Sequence, residues 1–116
     1  MNRSFSTKAV INEVTERIYK EDPSLTEKYG ERGIEKCRED NEHHLRQLAA
    51  AHAIKDEKMF VDYALWLDGI LQRHGMNTKH LTDNFRFLEE AFERYPDEQS
   101  VCYQKYLRAA VEELLR

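Results

Sequence analysis

Between residues 59 and 74 the side chains Met59, Phe60, Tyr63, Trp66, Leu67, Ile70, Leu71 and His74 recur at steps of one, three and four. At 100° per residue these positions form one stripe, the signature of an amphipathic α-helix rather than of a strand with its period of two. Gly75 follows as the stop, since glycine takes the left-handed conformation after a helix at no steric cost.

The rest of the chain repeats this pattern. Ile11, Val14 and Ile18 mark a helix over about 7–21, with Ser6 or Thr7 as N-cap, and Asp22-Pro23-Ser24 breaks it. A short helix or turn through Leu25 and Tyr29 leads to Gly30. A long helix over about 31–54 then sets Ile34, Cys37, Asn41, His44, Leu45, Leu48, Ala51 and His52 in one sector. Asn77 or Thr78 caps the next helix, to about residue 94, with Leu81, Phe85, Leu88, Ala91, Phe92 and Tyr95 inward. Pro96 forces a break, because it pushes Tyr95 out of helical geometry. The last helix, about 97–115, carries Tyr103, Tyr106, Leu107, Ala110, Val111 and Leu114.

Connections of about two to five residues favour antiparallel neighbours. The expected fold is therefore all-α, an up-down four-helix-bundle-like domain with an additional short N-terminal helical element, residues 1–116 forming one domain. Composition agrees. Four Gly and two Pro are too few for a turn-rich β domain, and 41% apolar residues are too many for a disordered chain. No apolar run approaches the roughly 18–20 residues needed to span a bilayer, so no membrane partner is expected.

The 22 acidic and 18 basic side chains are interspersed and give a net charge of −4. No helix face gathers the cations that counterion release on nucleic acid would require. The segment Met1-Asn2-Arg3-Ser4-Phe5-Ser6 lacks the apolar core of a signal peptide, which points to a cytoplasmic location with Cys37 and Cys102 reduced. Those cysteines form no CxxC pair, and no zinc-ligand spacing is present.

Chemistry is confined to polar residues on apolar stripes. Asn41, His44 and His52 share the inward face of the long helix, and Asp40 lies at its margin, placed to accept the imidazole N–H of His44 one turn on. Two readings stay open: a ligand-binding or proton-responsive pocket, or a satisfied polar network that fixes helix register. A di-metal carboxylate site needs two Glu-x-x-His pairs, and the nearest match, Asp40-x-x-His43, points off the stripe. Haem needs one axial histidine in an apolar pocket, and His44, His52 and His74 each qualify by face. Cys37 and His44 are about 10 Å apart along the helix, too far for an activated thiol. With no phosphate loop and no inward carboxylate pair, no catalytic residue is assigned, and the chain is expected not to be an enzyme. Val61, Leu65 and Phe87 lie off their stripes and are expected as exposed anchors for a protein partner or a second copy.

The run Tyr29-Gly30-Glu31-Arg32-Gly33, then Cys37, Asp40 and His44-Leu45, continues with Met59-Phe60-Val61-Asp62-Tyr63, Trp66-Leu67 and His74-Gly75. Over about residues 8–95 this resembles the helical domain found ahead of cobalamin-binding and other output domains in bacterial regulatory proteins. The resemblance implies a sensory or regulatory accessory role, with Asp40, His44, Tyr63 and Trp66 as pocket or interface positions. The sequence departs from the family in having no Asp-x-His-x-x-Gly cobalamin-ligand motif. In class alone it is also similar to globin-like helical sensors of bacterial stress regulation, which gives haem-binding sensor or carrier as the alternative function.

Overall fold

The computed structural model describes residues 5–116; the leader reading above rests largely on residues 1–4, which lie outside them. Five helices follow in order: α1 Thr7–Glu21, α2 Ser24–Ala53, α3 Glu57–Arg73, α4 Thr78–Phe92 and α5 Glu98–Leu114. Four begin on a side-chain cap that satisfies an otherwise orphaned amide: Ser6 accepts from Ala9, Asp56 from Met59, Asn77 from Lys79 and Asp97 from Ser100. Gly75, at φ 80°, ends α3 as expected.

Gly30 divides α2. Its φ of 60° and ψ of −153° lie in a region open to glycine alone, so Ser24–Tyr29 forms a short strap set at an angle to the long helix.

The direction of each helix follows from its cross-helix bonds. Arg17 and Glu13 of α1 pair with Glu90 and Arg94 of α4, an antiparallel register. Gln104 Nε2 donates to the Phe92 carbonyl and Arg108 to Glu89, so α5 is antiparallel to α4 as well. The chain thus forms an all-α bundle of alternating direction, with no strand among the described residues. No helix of the described residues is long and apolar enough to cross a membrane.

Phe60, Phe85, Leu48, Leu88, Leu107 and Val14 fill the centre with no exposed surface. Ala51, Ala64, Ala91 and Ala110 are buried beside them, and their small side chains allow close backbone approach. One pole of the bundle is closed by aromatic packing: Phe5 lies 4.9 Å from Phe92 and 5.5 Å from Tyr103, with Phe92 and Tyr103 edge-to-face at 5.2 Å.

Three expectations of exposure and burial change. The buried face of α3 is centred on Phe60, Ala64 and Asp68, whereas Trp66 is 62% exposed. At 100° per residue Trp66 points about 160° away from Ala64 and Asp68, on the outer side. Val61 is half-buried against the core rather than free. Phe87 is half-buried beneath Arg17, whose guanidinium carbon sits 4.4 Å above the ring centroid. Of the three anchors only Leu65 is exposed, and it adjoins Trp66.

Candidate functional site

At the pole opposite the aromatic cluster lies a cavity of about 500 Å³. Ile18 from α1, Leu67, Ile70 and Leu71 from α3, and Leu81 from α4 give it an apolar wall. Leu25 and Tyr29 close one side from the strap, and Met76 covers another from the α3–α4 turn. The strap is seated on Gly33, where a Cβ would lie 2.4 Å from the Tyr29 Cβ and 2.7 Å from the Tyr19 Oη. A second hollow, between α1 and α2, is lined mainly by charged or polar side chains such as Lys8, Arg38 and Arg46, and contains no buried polar group.

His44 lines the cavity and is 2% exposed. Its Nδ1 lies 2.8 Å from Tyr63 Oη, and its ring packs edge-on against Phe85 at 5.1 Å. Burial, with a smaller push from the neighbouring His43, lowers its pKa to about 3, so the ring is neutral at physiological pH. Burial, followed by the Asp40 charge, raises Tyr63 above the ordinary phenol value. The pair is therefore a neutral phenol–imidazole contact, and among the described residues no hydrogen bond is formed to Nε2 of His44.

Asp40 is not the partner of His44. Its Oδ1 accepts from Lys36 Nζ at 2.8 Å, one turn earlier on α2. An ammonium at i−4 offers a charge-assisted bond in solvent, which a buried neutral ring cannot match. Both residues of this pair line the cavity.

Asn41 is completely buried behind the cavity. Its amide is matched by Asn84 of α4: Asn41 Nδ2 donates to Asn84 Oδ1 at 3.2 Å, and Asn84 Nδ2 donates to Asn41 Oδ1 at 2.7 Å. Asn41 Nδ2 also donates to the Cys37 carbonyl at 3.0 Å. Burial pushes the Cys37 thiol above its usual value, only partly offset by the Asn41 amide, whose Nδ2 lies 3.7 Å from the sulfur.

The turn that carries Met76 is clipped by Asp68. Its Oδ2 accepts from Gln72 Nε2 at 2.7 Å and from Thr78 Oγ1 at 3.1 Å, while its buried Oδ1 has no partner among the described residues.

The expected site residues separate accordingly. Asp40 and His44 line the cavity, with exposed His74 at its edge; Tyr63 holds His44, and Asn41 stands behind it. His52 belongs to the other pole, its ring edge-on to Tyr103 at 5.9 Å, and Trp66 lies outside the lining. Asn84, Asp68 and exposed His80 were not singled out by sequence. Asn84 neighbours Phe85 on the inward stripe of α4, a placement that was legible. Among the described residues no group of three or more His, Cys, Asp or Glu is placed to hold a metal ion. A scan against protein-family models, a search of curated proteins and a search of solved structures each find no match to this chain.

Proposed function

We propose that this chain is a non-enzymatic sensory module, which takes a small molecule into the cavity at the open pole and transmits its presence to a protein partner or a second copy. The observation that carries the reading is the cavity itself: about 500 Å³, mainly apolar, with the buried imidazole of His44 among its few polar lining groups. Ligand sites in helical proteins have this make-up and size. Binding is favoured over catalysis because a base held at about pH 3 is far from the value at which proton transfer is efficient near neutrality. The exposed pair Leu65 and Trp66 supplies an apolar face on α3 for the partner.

Nile red, an uncharged solvatochromic dye, tests the reading. Saturable one-site binding that Leu71→Trp abolishes, with helicity kept, supports it. Dye uptake that does not saturate, or is indifferent to filling the cavity, overturns it.

A second reading, a tetrapyrrole sensor or carrier, has one observation in its favour. Nδ1 of His44 is already held by Tyr63, which resembles the outer contact that orients metal-ligating histidines and leaves Nε2 for the metal. A Soret band after haem loading, lost in His44→Ala and kept in His74→Ala, would replace the first reading with this one.

A further inference from the structure

The charges around the cavity constrain what it accepts, and this step rests on the reading of the cavity as a ligand site. Two side chains with full charges of opposite sign line it, Lys36 and Asp40, and they neutralise each other at 2.8 Å. The amide of Asn84 is committed to Asn41 through both of its polar atoms. His44 has one nitrogen engaged by Tyr63, which leaves Nε2 as its single free polar atom. The thiol of Cys37 and the phenol of Tyr19, which also line the cavity, are each pushed by burial toward their protonated, neutral forms. A carboxylate, phosphate or ammonium brought inside would shed its water and meet no unpaired opposite charge, the costly case for burial of an ion.

We infer that the cavity selects an uncharged, mostly apolar molecule that offers one hydrogen-bonding group to Nε2 of His44, and that it discriminates against ionic ligands of the same shape. Alcohols, ketones and quinones have this chemistry. Fatty-acid anions and quaternary amines do not.

The test uses three probes with one tail and different heads: decan-1-ol, decanoate and decyltrimethylammonium. Each displaces Nile red from the full chain at pH 8, above the usual imidazole range. Decan-1-ol is expected to compete at least tenfold better than either ion. Asp40→Asn, which releases Lys36 from its partner, is expected to improve decanoate about fivefold relative to decan-1-ol. If either ion competes as well as the alcohol, or if the dye binds and no probe displaces it, the inference of ligand class falls while the site stands. If the dye itself does not bind, the site falls and the inference with it.

Discussion

Tyr63 Oη and His44 Nδ1 meet at 2.8 Å across the α2–α3 interface, and the contact is made between two groups that burial keeps uncharged. The imidazole therefore behaves as a polar, non-ionic part of the core. Its environment has a direct consequence for stability.

The unfolded chain takes up a proton at position 44 near pH 6.5, whereas the folded chain resists until about pH 3. The stability that depends on a neutral ring is complete above pH 6.5 and declines as the pH falls through this window, by up to about 1.4 kcal/mol per unit. His44→Gln removes the effect. The gap in urea-unfolding free energy between parent and variant should narrow by about 2 kcal/mol from pH 7 to pH 5. A gap that stays constant would refute the assignment.

Replacing Asn41 leaves the Asn84 amide without its partner, and replacing Asn84 leaves Asn41 with the Cys37 carbonyl but nothing to satisfy its Oδ1. Asn84→Leu alone is expected to cost about 1–3 kcal/mol, and Asn41→Leu a similar amount. The double replacement should recover most of that loss, giving a coupling of at least about 1 kcal/mol in a double-mutant cycle. Simple additivity of the two costs would show that the amides act independently.

Gly33 and Gly30 make separable predictions. Gly33→Ala places a methyl group against Tyr29 and Tyr19 and should lift the strap, costing about 1–3 kcal/mol. Gly30→Ala meets no atom within 4 Å, so its cost, also about 1–3 kcal/mol, is backbone strain alone. In hydrogen exchange both variants should lose protection over residues 24–33 before any change at Leu88 or Leu107. Uniform loss along the chain would contradict a separable strap.

Trp66 is the one tryptophan and stands in solvent. Trp66→Ala should leave unfolding free energy within about 0.5 kcal/mol of the parent, as exposed substitutions do. If α3 is the face that meets a second copy, the variant should sediment as a smaller species than the parent. Identical sedimentation of a dimeric parent and variant would exclude Trp66 from that face.

Helix positions were largely legible, and for local reasons. Ser6, Asp56, Asn77 and Asp97 are caps by residue type, and Gly30, Gly75 and Pro96 break helices by backbone geometry. Asn41 and His44 were legible as inward because they fall between Cys37 and Leu48 on a continuous apolar sector. Their partners were not. Asn84 and Tyr63 come from other helices, and helical periodicity fixes an azimuth without saying which residue it meets across a gap. Asp40 was assigned to His44 from spacing alone, while Lys36 at the same spacing on the other side offered a charge. Trp66 was drawn into the α3 stripe by its hydrophobicity. The true face runs through Ala64 and Asp68, two residues that hydrophobicity ranks low: one packs by being small, and the other is retained by Gln72 and Thr78.

The clustering of Phe5, Phe92 and Tyr103 at one pole gives the bundle an asymmetry of stiffness. Interlocked rings leave little freedom for the ends of α4 and α5 that they join, while the cavity leaves α1, α3 and the strap without a filled centre between them. If the cavity takes a ligand as proposed, the displacement open to the bundle is a fanning of helix tips about a fixed base. On the proposed reading, a partner on Leu65 and Trp66, midway along α3, would register occupancy through the tilt of that helix, whereas one that gripped the aromatic base would hold the same surface whether the cavity was full or empty.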